Sequence, residues 1–386
     1  MAPDDATLPP TTCESTSSWR HRWLAWRDGL LGSASFQRWA ARFPLTRPIA
    51  RRRAAQLFDI VAGFVYSQVL LGCVRLRLFD LLAEGPATTA ELAARTGLAG
   101  DRLQRLLDAA TAIRLVEPRG AGRHGLGPLG APMVGNEGLA LMVEHHTALY
   151  ADMADPLALL GRAPQHNALA HYWGYAGNPD AAALPEAEVA PYSRLMAASN
   201  ALVTEQLIDS GALRGRHCLL DVGGGEGVFA AAAAHHRADL RVMLFDLPAV
   251  AARARVRLAE QGLAQRVQAH GGDFFRDELP RGADTITLLR VLHDHDDAAV
   301  CLLLRNAQRA LPPGGTLIVA EPLRDTPGAQ AMGDAYFGLY LLAMGRGRPR
   351  RFDELGALLG EAGFTPPRRL PTALPLQASV LTATRR

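Results

Sequence analysis

No lysine occurs in the 386 residues; all 41 basic side chains are arginine. A protein Schiff base, which needs a lysine amine, is therefore excluded. Cysteine is scarce as well. Cys13, Cys73, Cys218 and Cys301 are widely scattered with no CxxC pair, so neither a disulfide framework nor a zinc–thiolate cluster is expected, and a reducing cytoplasm fits. There is little excess charge: 41 basic side chains face 38 acidic ones, and a net charge of +3 argues against a general polyanion binder. Long apolar runs are missing too. The longest, "IVAGFVYSQVLLGCV" at residues 60–74, is interrupted by Ser67 and Gln68 and is too short to span a bilayer. The first residues include Asp4 and Asp5, with no apolar stretch behind a basic start, so no secretory signal is expected.

What is there points to a soluble globular chain, with 48% hydrophobic and 20% charged residues over a length that suits two domains and an arm. Residues 1–18 are rich in Pro, Thr and Ser and are expected to be disordered. They open a first segment, 1–55, whose remainder is a basic amphipathic arm. Trp19, Trp23, Trp26 and Leu30 recur on one helical face, with Arg20, Arg22 and Arg27 mostly elsewhere. Phe36, Trp39 and Phe43 repeat the pattern after Gly32. Such an arm packs on its own domain or a dimer partner, or it lies on a membrane surface through residues 19–43.

Residues 56–210 read as a helical domain with connecting helices. "TTAELAARTGLAGDRLQRLLDAATAIRLVEP" has a capped start at Thr88 or Thr89, two short helices about Gly97, and a β-wing after them. That is winged-helix patterning. Its second helix carries balanced charge (Asp101, Arg102, Arg105, Asp108), whereas a DNA-recognition helix needs excess positive charge, so dimerisation is expected and nucleic acid is not. From 211 to 386 short apolar runs alternate with helical stretches, the pattern of a parallel sheet covered on both faces.

"LLDVGGGEGVFAAAAA" is a strand, a glycine turn and a helix. A glycine turn alone also serves Rossmann dehydrogenases or no ligand at all. Asp221, two residues before Gly223, would repel a pyrophosphate and suits a ligand with an ammonium group. Asp246 in "FDLP", at the end of the next strand, can accept from both ribose hydroxyls. Asp273 in "GGDFF" can accept from an adenine amino group, and Phe274 can flank the ring. With Gly223 and Gly225 open to the ligand, one nucleoside, an ammonium and no phosphate describe S-adenosylmethionine better than NAD.

The stretch "LLRVLHDHDD" at 288–297 leaves more readings open. His293 and His295 suit metal ligation, acid–base work or a polar loop. No further ligand cluster lies upstream, so no metal is expected. Asp296 or Asp297 suits the N-cap of the helix that follows, and Asp294 suits either orienting an imidazole or closing the turn.

Together "DVGGGEG", "FDLP", "GDFF", "LLRVLHDHDD" and "EAGF" resemble the class I methyltransferases of the caffeate and acetylserotonin O-methyltransferase type. The stretch 41–82 is similar to the hydroxyneurosporene or demethylspheroidene O-methyltransferases of purple photosynthetic bacteria. The resemblance implies an α/β, Rossmann-like fold with a mostly parallel seven-stranded sheet, behind an N-terminal helical winged-helix dimerisation domain. It implies a homodimer that uses S-adenosylmethionine to methylate the tertiary hydroxyl of an acyclic carotenoid in carotenoid biosynthesis. By position it makes Gly223, Asp246, Asp273, Phe274 and Arg290 cofactor contacts, His293 the catalytic base, and Met196 a substrate contact. The sequence departs from the family at His295, where tryptophan is usual. It departs again at "GRGRPRR" (345–351), where Pro349 stands near an expected glutamate. Glu321 remains as an acid to orient His293.

The segment "AMGDAYFGLYLLAMG" reads as a helix offering Met332, Tyr336, Leu339, Tyr340 and Ala343 to an apolar pocket, or as ordinary core. Three functions compete: a carotenoid O-methyltransferase, cytoplasmic or peripheral at the inner membrane; an O-methyltransferase for a phenol or polyketide; and a non-enzymatic winged-helix regulator, which retention of His293 argues against.

Overall fold

A computed structural model describes residues 19–161, 167–173, 186–373 and 378–386. The polar start at 1–18, expected to be disordered, lies outside them. The arm is two helices, α1 (Trp19–Gly32) and α2 (Ala34–Arg42), ahead of the long α3 (Arg47–Arg75). Ser33 caps α2 by accepting from the Phe36 N–H, and Trp39 stacks on Phe43 with ring centroids 5.0 Å apart. α1 buries none of its residues, and Trp19, Trp23 and Trp26 are 76%, 51% and 63% exposed.

Two expectations about this region change. The boundary placed between residues 55 and 56 falls inside α3, so the arm and the next domain share one helix. The apolar run 60–74 is also not the whole element. The arginine-rich turns before it are helical, and an 18-residue window of this 29-residue helix has mean hydropathy 1.8, long and apolar enough by length and composition to cross a membrane. One half of α3 leaves Leu57, Phe58, Ile60, Val61 and Phe64 exposed, while Val69 and Cys73 at the other half enter a core.

That core belongs to the winged-helix unit: α4 (Leu78–Ala83), β1 (Ala87–Thr88), α5 (Thr89–Thr96), α6 (Gly100–Ala112), β2 (Val116–Pro118) and β3 (Arg123–Leu126). Thr88 and Glu91 form a reciprocal capping box at the start of α5, and Gly97 ends it in the left-handed region at φ 75°. The strands pair antiparallel in the order β1-β3-β2. Leu78, Leu92, Leu103 and Leu107 fill the space against Cys73. Then come α7 (Glu137–Met153), α8 (Pro156–Gly161), α9 (Ala168–Tyr172) and α10 (Glu186–Asp209). α10 packs on α7 at one side and on the C-terminal domain's first two helices at the other.

The C-terminal domain runs β4 (Cys218–Val222), α11 (Val228–His236), β5 (Arg241–Asp246), α12 (Pro248–Glu260), β6 (Val267–Gly271), β7 (Thr285–Leu289), α13 (Asp297–Ala310), β8 (Thr316–Glu321), α14 (Phe337–Met344), α15 (Phe352–Glu361), β9 (Arg368–Leu370) and β10 (Ser379–Thr384). Its seven strands lie in the order β6-β5-β4-β7-β8-β10-β9. β4 to β8 are parallel, while β10 is antiparallel to both β8 and β9. Every residue of β4, β7 and β8 is buried, as a sheet covered on both faces requires. The chain leaves β4 toward β5 and returns on its other side as β7. Ligands bind open α/β sheets at the carboxyl ends beside such a reversal. Gly223, Asp246, Arg290 and Glu321 all stand at or one residue past those ends.

Candidate active site

The turn after β4 is shaped by its glycines. Gly223 and Gly225 adopt φ 71° and 59°, a region that L side chains avoid. A Cβ on Gly223 would sit 2.6 Å from Val291 Cγ2, so only bare backbone fits there, whereas Gly225 faces open space. Glu226 in the same turn is tied to α12 by Arg253 Nη2 at 2.6 Å and Arg257 Nη1 at 3.4 Å. Asp246 Oδ2 accepts from the Gly225 N–H at 2.8 Å, and Oδ1 from the Leu247 N–H at 2.7 Å. Burial pushes its carboxyl up to about 6, against those two hydrogen bonds. Asp273 Oδ1 accepts from the Phe275 N–H at 2.9 Å, which turns Phe274 toward the same space.

Gly223, Gly225, Asp246, Asp273, Phe274 and Arg290 line one cavity of about 310 Å³. Asp221 does not. It is 1% exposed beneath the turn, where Oδ1 accepts from Thr287 Oγ at 2.7 Å and Oδ2 has no partner among the described residues. Burial pushes Asp221 up to about 7, opposed by the Thr287 bond and aided by the Asp246 charge. The carboxylate expected to face an ammonium group therefore underlies the glycine turn, because an inward-facing β4 residue points into the layer between sheet and loop. The cavity wall still fits S-adenosylmethionine: it offers bare backbone, two carboxylates for hydroxyl and amino hydrogens, an aromatic face and a guanidinium. Arg290 itself turns the chain at φ 55°, and its Nη1 donates to Ser199 Oγ at 2.8 Å.

A second chamber of about 550 Å³ adjoins the first, and Met196, Arg290 and Asp294 line both. Met332 and Tyr336 are on its wall as expected, with Phe337, Tyr340 and Met344; Leu339 and Ala343 are not. The expected single helix begins as a π-helical turn, Ala331–Tyr336, whose wider winding changes which side chains share the inner face. Polar groups in this wall satisfy one another. Trp173 Nε1 donates to Tyr340 Oη at 2.8 Å, Tyr340 Oη lies 3.0 Å from His145 Nε2, and His145 Nδ1 lies 2.7 Å from the Met142 carbonyl oxygen. His146 Nε2 is 2.6 Å from Tyr336 Oη. Burial, with a smaller push from His146, holds His145 down at about 4, so its ring is neutral and the relay runs from Trp173 through Tyr340 and His145 to Met142. Sequence reasoning missed this network, whose members lie as much as 195 positions apart.

His293 sits on a short 3₁₀ turn, Leu292–Asp294, four residues past β7, and its ring opens into the second chamber. Its Nδ1 lies 2.5 Å from Glu321 Oε2, while Glu321 Oε1 accepts from the N–H groups of Val291 at 2.9 Å and Leu292 at 2.7 Å. The acid at the end of β8 thus holds both the turn and the ring. That contact assigns the hydrogen to Nδ1 and leaves Nε2 toward the chamber, 3.2 Å from Asp294 Oδ1. Burial pulls His293 down, but the charges of Asp294 and Glu321 and the hydrogen bond outweigh it and raise the pKa above the ordinary 6.5.

His295 faces the other way. It lines the first cavity, edge-on to Phe274 and Phe275 with ring centroids 5.7 and 5.0 Å away, and its buried Nδ1 has no partner among the described residues. Burial, with nearby Arg346, holds it down at about 3, so it is neutral. The two imidazoles of "LHDH" therefore serve different chambers and are not arranged to grip one ion. Asp296 occupies the N-cap of α13 without a side-chain cap bond. Asp297 is engaged by Arg348 at 2.9 Å and Arg350 at 2.7 Å. The cap expected of these acids is positional only: Asp296 makes no side-chain cap bond, and Asp297 is held by the arginines instead.

The O-methyltransferase domain family model matches residues 159–365, and the O-methyltransferase dimerisation domain model matches 58–134. The chain is 46% identical over 356 residues to demethylspheroidene O-methyltransferase of Cereibacter sphaeroides, covering 92% of this chain and 93% of that protein. It is 41% identical over 345 residues to the Rhodobacter capsulatus protein of that name, covering 89% and 85%. Among solved structures, human N-acetylserotonin methyltransferase in complex with S-adenosylmethionine superposes with a TM-score of 0.71 at 25% identity, over 86% of this chain and 97% of that one.

Proposed function

The chain belongs to the O-methyltransferase family, and on that premise we propose that it methylates the tertiary hydroxyl of an acyclic carotenoid of the hydroxyneurosporene or demethylspheroidene type, in the carotenoid biosynthesis that serves photosynthesis. The observation that carries this reading is the second chamber. Its aromatic hydroxyls, its indole N–H and the imidazoles of His145 and His146 are bonded to one another, so that part of the wall offers an incoming molecule a mostly apolar surface. An apolar acceptor end loses no hydrogen bonds on entering such a wall, whereas a polar one leaves its own groups unpaired. The two relatives named for demethylspheroidene support the same class.

S-adenosylmethionine, when bound, supplies a methyl group activated on a sulfonium sulfur. The chain's own residues orient and deprotonate the acceptor. Met196 and Arg290 stand where the two cavities meet, so an acceptor seated in the chamber directs its hydroxyl at the cofactor cavity. Such orientation supplies on the order of 7–11 kcal/mol of barrier reduction. A tertiary alcohol does not ionise in advance, so His293 Nε2 takes its proton as the oxygen–carbon bond forms. Asp294 and Glu321 both stabilise the resulting imidazolium, and a base so placed adds about 10²–10⁴-fold.

The exposed apolar half of α3 fits a second copy of the chain, in keeping with the dimerisation domain. For the arm we propose contact with an anionic membrane surface, which would place the enzyme peripherally at the inner membrane. Arginines 20, 22, 27, 38 and 42 with the exposed Trp19, Trp23 and Trp26 oppose a single acid, Asp28. Incubation with labelled S-adenosylmethionine and either hydroxyneurosporene or simple catechols tests the acceptor. Label in the carotenoid is expected, and transfer to catechols only overturns the reading. Flotation with anionic and uncharged vesicles tests the arm; equal recovery with both removes it.

A further inference from the structure

We propose that Arg350 is a positioning residue for catalysis: its buried guanidinium braces the turn that presents His293, and so fixes where Nε2 meets the acceptor hydroxyl. Arg350 is 3% exposed and lies outside both cavities. Its Nη1 donates to the Leu292 carbonyl at 2.8 Å, its Nη2 to the His295 carbonyl at 2.6 Å, and its Nε to Asp297 Oδ1 at 2.9 Å. Those carbonyls bracket His293 and Asp294. A 3₁₀ turn of this length is weakly self-supporting, and its carbonyls need outside donors. Glu321 grips the N–H side of the turn through Val291, Leu292 and His293, and Arg350 grips the C=O side. The segment carrying Arg350 lies hard on the turn: Gly347 has φ 77°, and a Cβ there would sit 2.1 Å from the His293 carbonyl oxygen.

The arrangement does more than fasten a loop. The same turn sends His293 into one chamber and His295 into the other, so its backbone sets both rings at once. The guanidinium is buried, yet its carboxylate partner, Asp297, is half-exposed and shared with Arg348. Burying a cation against such a partner is weakly stabilising at best. Its return lies in direction, since a planar fork with donors on three sides reaches two carbonyls and a carboxylate together, and a lysine ammonium does not. A turn without this brace lets the imidazole drift from Glu321 and Asp294, which weakens the carboxylate pull on its proton.

The inference rests on methyl transfer with His293 as base, and the wild-type rate in the same assay reads that separately. The acceptor is whichever of hydroxyneurosporene and catechol the wild-type chain methylates. Arg350→Lys and Arg350→Ala are compared with wild type for kcat, acceptor KM, cofactor affinity by calorimetry, and the pH profile of kcat. The expected result is a kcat at least about tenfold lower in both, with KM and cofactor affinity held within about threefold. The acid limb of the profile moves to lower pH, and millimolar guanidinium returns part of the rate to Arg350→Ala. If Arg350→Ala does not fold, Arg350→Lys decides the matter through the kcat–KM split and the pH limb. A kcat within about threefold of wild type in both variants overturns the proposal. So does a rate that falls only in step with thermal stability while the pH limb stays in place.

Discussion

Replacing Glu321 with glutamine isolates what the buried acid does for His293. Glu321 is 2% exposed, and its two oxygens accept from three backbone N–H groups and from His293 Nδ1. Glutamine keeps the shape but exchanges one acceptor oxygen for an NH₂ donor. If that donor faces the ring, the imidazole must accept at Nδ1 and carry its hydrogen on Nε2, so the base is spent before the acceptor arrives. If it faces the turn, it meets the Val291 and Leu292 N–H groups, donor against donor, and the turn moves. Either outcome removes most of the general-base contribution, about 10²–10⁴-fold in kcat. That equals about 2.7–5.4 kcal/mol of barrier. One buried donor left unpaired costs about 1–3 kcal/mol of stability besides. Single-turnover methyl transfer at saturating cofactor reads the first number and thermal unfolding the second, while calorimetry shows whether cofactor affinity is kept. A Glu321→Gln protein that turns over within about threefold of wild type refutes the assignment of Glu321 as the group that orients the base.

The pH profile follows from the same pair of carboxylates. As the proposed base, His293 would act only when unprotonated; its pKa is raised above 6.5, so kcat is expected to climb with pH through a midpoint above that value, and a lower midpoint contradicts the contact with Asp294 and Glu321. The linked stability is fully present below the unfolded histidine value and is lost as pH rises through the raised one, which melting temperatures across pH 6 to 9 read. Tyr340→Phe strips the hydroxyl shared by Trp173 and His145, taking from the buried His145 Nε2 the hydroxyl 3.0 Å away; a loss of about 1–3 kcal/mol in unfolding free energy is expected. The same variant should accept more polar substrates relative to carotenoid, and an unchanged preference removes the apolar-wall argument. Gly223→Ala combines a φ of 71° with a methyl 2.6 Å from Val291, so cofactor affinity measured by calorimetry should fall at least about tenfold.

How much of this was legible in the sequence depends on where each signal lies. The glycine turn, Asp246 and Asp273 announce themselves because each follows an apolar strand run, and strand ends of a parallel sheet share one edge. Glu321 was nameable for that reason: it closes β8, which lies beside β7 in the sheet. Asp221 lies beneath the turn rather than in the cavity, because strand alternation decides whether a residue faces cavity or layer, and a fully buried strand shows no alternation to read. His295 looked like a neighbour of His293, yet the 3₁₀ turn sends the second ring into the cofactor cavity. The wall formed by His145, His146, Trp173, Tyr336 and Tyr340, and the reach of Arg350 to Leu292 and His295, join residues far apart in the chain. No local periodicity carries such contacts.

We propose that His293 Nε2 takes the proton of a carotenoid hydroxyl held at the junction of two chambers. A crystal structure with S-adenosylhomocysteine and hydroxyneurosporene tests it most directly. The tertiary hydroxyl oxygen is expected about 2.6–3.2 Å from His293 Nε2, aimed at the sulfur of the product cofactor, with the polyene against Tyr336, Phe337 and Met332. A hydroxyl seated away from His293, or a carotenoid end that stays outside the chamber, contradicts it.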